Sequence, residues 1–144
     1  MSNNESAVLY GLIVERLRDG RLTANVEHIV CHSPDGFECG FDGAGPADLA
    51  LAVMNALIPP VSPEQEQVQR QLEGDRLAEA QDNPALWTEE IGPGRVRVNR
   101  LAVLLHQDFK RDFIVNMPSA GGYVQIDIIR AWIAKHAAEL TAKV

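Results

Sequence analysis

Several short stretches of this chain hold residue types that can do chemistry. In "HQDFKRD", Asp108 and Asp112 stand four residues apart, which puts them on one face of a helix with His106 a little round the cylinder. Paired carboxylates divide acid and base roles when burial drives their pKa values apart. The plainer expectation is an exposed helix face on which Asp108 and Asp112 stand beside Arg111. Glu38, in "FECG", is a further carboxylate. It can act on a ligand, or it can accept backbone N–H bonds in the Gly-rich turn that follows. His28, Cys31, His32 and Cys39 are the types that ligate zinc. Their spacing matches no finger, and a strand would point His28 and Cys31 to opposite faces. No metal site is expected, and Cys39 between Phe37 and Phe41 reads as a small core residue.

The stretch "GFDGAGPAD" is a candidate anion cradle. First-turn N–H groups of a helix point outward without partners, and the helix dipole adds positive potential there. Gly43, Ala44 and Gly45 permit close approach, with Glu38 and Asp48 beside them. These five residues, Glu38, Gly43, Ala44, Gly45 and Asp48, are the expected ligand-binding set. Against this stand the absence of a dinucleotide or P-loop pattern, the lack of a following Lys, and the repulsion of an anion by Asp42 and Asp48. The competing expectation is architectural: a sharp turn that lets a strand end and a helix begin. No Ser/His/Asp ordering or oriented Cys/His pair marks a nucleophile, so no catalytic residue and no cofactor are assigned.

Elements that would position these groups follow from periodicity. "AVLYGLIVERL" leading into "RDGR" predicts a strand and hairpin, "LTANVEHIVCH" a second strand, and "GFECGF" a half-buried third. Pro46 and Asp48 open a helix that runs through "LALAVMNALI" to Pro59-Pro60; it is apolar nearly all round and is expected at the centre of the fold. From Val61 to Gly94 an acidic segment opens with Ser62, Pro63 and Gln65 in a capping arrangement, and Glu66 stands four residues before Arg70. Its thin stripe of Val68, Leu72 and Leu77 predicts a peripheral helical arm, either on the surface or at a contact between copies. Then "RVRV" is a short strand, and Asn99 caps a helix striped by Leu101, Leu105, Phe109 and Phe113. "YVQI" is extended, and Asp127 caps a last helix striped by Ile128, Ile129, Trp132, Ile133, Ala137 and Leu140. The expected fold is a single α+β domain over residues 1–144: a short antiparallel sheet of three or four strands packed against three helices, with the acidic arm at 61–94 added.

Composition narrows the function classes. The formal charge of −7 argues against a broad grip on nucleic acid. Arg16, Arg18 and Arg21, and Arg95, Arg97 and Arg100, are the densest basic groups, and a solvated strand face accounts for both. Two cysteines are too few for a disulfide scaffold, "MSNNESAV" lacks the pattern of a signal peptide, and no apolar run reaches the roughly 20 residues of a membrane span. A cytoplasmic protein with no membrane partner is expected.

The words "SPDGFECGFDGAGPADLALAV", from Ser33 to Val53, resemble the signature of a family of small uncharacterised proteins found in bacteria, plasmids and phages, approximately S-P-x-G-F-E-W-G-Y-x-G-S-G-P-A-x-L-A. Looser matches resume at "LLHQDFKRDFI" and "IDIIRAWI". Cys39 stands where that signature has Trp, and Ala44 where it has Ser. The resemblance implies accessory work in phages or other mobile elements, such as blocking a host defence. Three functions of different class are expected. One is a non-enzymatic accessory protein that binds a small anionic or nucleotide ligand. Another is an acidic module, a monomer or homo-oligomer, that inhibits a host protein with a basic surface. The third is a small hydrolase-like enzyme using Glu38 or Asp108.

Overall fold

The computed structural model describes residues 10–142. In chain order the elements are β1 (Gly11–Arg16), β2 (Leu22–Ala24), α1 (Ala44–Leu57), α2 (Pro63–Arg70), α3 (Gly74–Asp82), a 3-10 turn (Pro84–Leu86), β3 (Thr88–Ile91), β4 (Val96–Asn99), α4 (Arg100–Phe109), a wide π turn (Lys110–Ile114), β5 (Gly121–Gln125) and α5 (Ile126–Ala142). The fold is α+β, with one three-stranded and one two-stranded antiparallel sheet.

β1 alternates as a half-buried strand must, with Leu12 and Val14 in the core and Ile13 and Glu15 outside. The hairpin at "RDGR" joins it to β2, and Gly20 takes the left-handed backbone that closes the turn. On its other side β1 pairs with β5, from Gly11↔Gln125 to Glu15↔Gly121. The third place in the sheet therefore belongs to a C-terminal strand. "GFECGF" makes only an isolated bridge, Leu22↔Phe37, because Gly36 and Gly40 both adopt positive φ and break the extended run. "LTANVEHIVCH" is likewise a strand for three residues only. Asn25 still bonds Ile13 of β1, but farther on the amides of Cys31, His32 and Ser33 turn to a carboxylate described below.

α1 starts two residues before Pro46, with Gly43 at its N-cap, and is buried from Gly45 through Met54. It packs on α4 and the π turn, and Leu49, Val53, Leu105, Phe109, Ile114 and Ile129 fill the space between them. The expected caps at Asn99 and Ser62 are present: Asn99 accepts from the Leu101 amide at 2.8 Å and Ser62 from the Gln65 amide at 3.1 Å.

The arm at 61–94 folds as two short helices, the 3-10 turn and strand β3, which pairs with β4. Val68 is 59 % exposed, and α2 turns Glu66 and Gln69 inward instead. Glu66 accepts from the Thr88 amide at 2.6 Å and from Arg70 at 3.2 Å, while Gln69 donates to the Leu86 carbonyl. Trp87 is buried, its indole N–H donating to the Ala80 carbonyl at 2.6 Å. Buried polar side chains hold when they are bonded in this way.

Candidate functional site

Asp48 lies in the second turn of α1 with no exposed surface. A carboxylate in an apolar helix is tolerated when donors surround it, and the coil between β2 and the glycine-rich turn provides them. Its Oδ2 accepts from His28 Nε2 at 2.8 Å, from the Ser33 amide at 3.0 Å and from the Cys31 amide at 3.2 Å; its Oδ1 accepts from the His32 amide at 2.8 Å. Burial pushes the carboxyl up, but the bonds from His28, Ser33, His32 and Cys31 outweigh it and hold Asp48 below the usual carboxylate range. The chain thus builds an anion site from backbone amides and fills it with its own side chain. Asp48 stands near the start of its helix, as the sequence suggests, but its donors come from another segment.

With Nε2–H committed to Asp48, His28 presents Nδ1 on the other side of its ring. The ring tilts against Phe37, centroids 4.7 Å apart. Both residues line an open cleft of about 590 Å³ between the β1–β2 hairpin and the segment Asp35–Glu38. Leu22, Val26 and Phe37 give it an apolar floor, and Asp19, Arg21, Asp35 and Glu38 a polar rim of both signs.

Glu38 receives a two-pronged grip from Arg16, NH2 to Oε1 at 2.8 Å and NH1 to Oε2 at 3.0 Å. That guanidinium holds its carboxyl below the usual range. Arg16 also donates to the carbonyls of Ser119 and Gly20, which ties β1, the hairpin and the 118–121 turn to the glycine-rich segment. Glu38 therefore bonds chiefly the Arg16 side chain, with the Cys39 backbone N–H adding to the stabilisation of its charge. Gly45 is needed beside it for space: a Cβ there would lie 2.7 Å from the Glu38 Cβ.

Of the five expected ligand-binding residues, Glu38 lines the cleft and Asp48 reaches it through His28. Gly43, Ala44 and Gly45 stand apart from its lining. Gly43 has an extended backbone, φ 177°, and α1 has no side-chain cap. His32 Nε2 faces His106 Nε2 at 3.1 Å on α4. Asp108 and Asp112 take separate partners: Asp108 pairs with Arg111, and Asp112 accepts from the Trp132 indole at 2.8 Å. The two thiols are pushed up, Cys31 by burial and the Asp48 charge and Cys39 by burial, so neither is prepared as a nucleophile. Among the described residues no three His, Cys, Asp or Glu converge as a metal set, and no helix is long and apolar enough to cross a membrane. Most of the basic groups are paired: Arg16 with Glu38, Arg21 with Asp19, Arg95 with Glu90, Arg97 with Glu66 and Arg100 with Glu89.

Sequence reasoning passed over the roles of Arg16, His28 and His106. One signal was present: a lone Asp inside the apolar run "PADLALAV" must be capped or buried with partners.

The model of DUF6166, a family of unknown function, matches residues 9–90. That span takes in β1, β2, the segment with His28 and Glu38, α1 and most of the arm. Comparison with curated proteins and with solved structures finds no match.

Proposed function

This chain belongs to the DUF6166 family, and we propose that it is a non-enzymatic binding protein that takes a small polar ligand, of nucleoside or nucleotide size, in the cleft beside His28. The observation that carries this reading is the Asp48–His28 pair. A buried carboxylate held by three amides fixes the ring, so ligand contacts at Nδ1 need no side-chain ordering on binding. The cleft's volume lies in the range of small-molecule sites, roughly 300–1,000 Å³. Phe37 and His28 offer an aromatic wall to a planar ring, and Arg21 a cation at the rim to an anionic group.

An Asp–His pair is also two-thirds of a hydrolytic triad, which is what makes the hydrolase reading worth weighing. The hydroxyl in the lining, Thr23, donates instead to the Glu15 carbonyl at 3.3 Å, and the nearby thiols are pushed up. Binding is the better account. The phage and mobile-element setting implied by the signature, work in the cytoplasm and interference with a host defence fit a small protein of this kind and belong to the proposal. A second reading, contact with a basic host protein or a second copy, is favoured by α2 and α3, where exposed Val68 stands among exposed Glu64, Glu73 and Asp75.

Titration of the protein with nucleosides, mononucleotides and inorganic phosphate, followed by NMR of the His28 ring and by calorimetry, tests the cleft. Shifts of the His28 signals that vanish in His28→Ala are expected. Saturable binding that leaves His28 and Phe37 unperturbed would place the ligand elsewhere, and no heat with any nucleotide would leave the protein-partner reading ahead.

A further inference from the structure

The coil from His28 to Ser33 is held from two sides. Asp48 on α1 takes its amides and the His28 ring, and on the other side the His32 ring meets His106 on α4. The His32 and His106 rings lie within 19° of parallel with centroids 5.4 Å apart and Nε2 atoms 3.1 Å apart. The two nitrogens therefore face each other head to head. Two imidazoles on one zinc would each stand about 2 Å from it, so nitrogens aimed at one another would need about 4 Å between them. The separation suits an N–H···N hydrogen bond and excludes a shared metal.

Proton positions follow from the partners. His106 Nδ1 lies 2.5 Å from the Val103 carbonyl one turn back on α4, so Nδ1 carries the hydrogen and Nε2 the lone pair. His32 must then donate from Nε2. A single proton on the pair leaves the N–H···N bond intact, because the exposed His32 ring can carry its hydrogen on either nitrogen. A second proton is different, because with both rings charged it sets N–H against N–H at 3.1 Å. No rotation of His106 relieves this without giving up Val103.

We infer that the His32–His106 contact is a pH-operated latch: a single N–H···N bond clamps the 28–33 segment to α4 near neutrality, and protonation of both rings, with His106 charged at Nε2, releases it. Groups facing His106 come from each neighbouring element. Asp48 on α1 favours the added proton, while His32 on the coil and Lys110 on the π turn disfavour it; the Lys110 ammonium is itself paired with Asp42 at 2.6 Å. Burial is the largest influence and holds His106 below the ordinary histidine range, with the His32 charge adding to it. Release thus belongs to mildly acid conditions, below about pH 6.5. The freed coil leads directly into Asp35–Glu38, one wall of the cleft. The latch stands on its own geometry whether or not the cleft takes a ligand.

Ring NMR of the histidines from pH 8 to pH 5, together with amide exchange of Cys31, His32 and Ser33 corrected for intrinsic rate, tests it. Expected is a His106 midpoint below about 6.5, with exchange of the three amides rising by up to tenfold per pH unit beneath it, as one proton per opening requires. His106→Gln keeps a neutral acceptor and should hold those amides protected and flat with pH. His32→Gln, whose exposed amide can donate to or accept from His106, is the second variant should the buried change fail to fold; the three amides should again stay protected as pH falls. Exchange in the parent that stays flat between pH 8 and pH 5, or full pH dependence in His106→Gln, would overturn the latch.

Discussion

Replacing Asp48 by Asn exchanges one carboxylate oxygen for an NH2 at a buried side chain with four hydrogen bonds, and its cost can be worked from the contacts. Oδ2 serves three donors and Oδ1 serves one. An Asn placed with its carbonyl at the Oδ2 position keeps three bonds without their charge. Its NH2 then meets the His32 amide as donor against donor at 2.8 Å. One charge-assisted bond lost contributes about 1.5–3 kcal/mol, and weakening of the others brings the expected loss to about 2–4 kcal/mol. Asp48→Ala, which strands all four donors, should cost at least as much as breaking a buried ion pair, about 3–5 kcal/mol. Against a total stability of about 5–15 kcal/mol either change is large. Urea unfolding at pH 7 measures both. The pH dependence gives a second readout, because the folded carboxyl sits below its unfolded value. Its stabilisation is complete above the unfolded pKa and lost as pH falls through the folded one. Asp48→Asn should lack that acid loss. A variant within about 0.5 kcal/mol of the parent, with the same acid slope, would refute the view that Asp48 holds the coil.

Other changes test neighbouring contacts. Gly45→Val drives a branched side chain into Glu38, whose Cβ and backbone N would lie 2.7 and 3.1 Å from the new Cβ, and should cost about 1–3 kcal/mol in a thermal melt. Arg16→Lys loses the two-pronged grip on Glu38 and should lower the melting temperature more than Arg21→Lys, whose guanidinium holds only the adjacent Asp19. Trp87→Phe keeps the ring packing but leaves the Ala80 carbonyl without its N–H, at about 1 kcal/mol. Stability of the parent should also fall as pH drops below about 6.5, since His106 is held lower in the folded state than in the unfolded chain and the unfolded chain takes up the proton first; His106→Gln should flatten that window while leaving the lower, Asp48 window in place.

Local pattern made much of the fold legible. The alternation in "GLIVER", the run between Pro46 and Pro59, the Asn99 cap and the stripe of Leu101, Leu105 and Phe109 each carry their own signal, and each element forms. What stayed hidden depends on distance or on exchange of partners. "YVQI" reads as extended, but nothing local says that it completes a sheet with β1. "HIVCH" has strand-like residues, yet its amides gain more from a buried carboxylate than from a neighbouring strand. In α2 the burial is polar, so a stripe drawn through Val68 picks the wet face. At the site, Glu38 was visible as a carboxylate and Asp48 as an acidic residue near a helix start, whereas Arg16, His28 and His106 acquire their roles only when three separate segments meet.

The pairing of β1 with β5 has a temporal side. Tyr123 reaches the Tyr10 carbonyl across 113 residues of chain, and the strand rungs beside it span similar distances. A ribosome adding about 5–20 residues each second leaves β1 waiting on the order of ten seconds for the strand that covers its open edge. Contacts so remote in sequence also slow folding after release, since the loop must close before they stabilise anything. The segment that the family model matches ends before β5 is made. During that interval the nascent protein presents an unpaired strand edge to the cell, and low temperature during expression, or a chaperone that shields such edges, should raise the yield of folded protein.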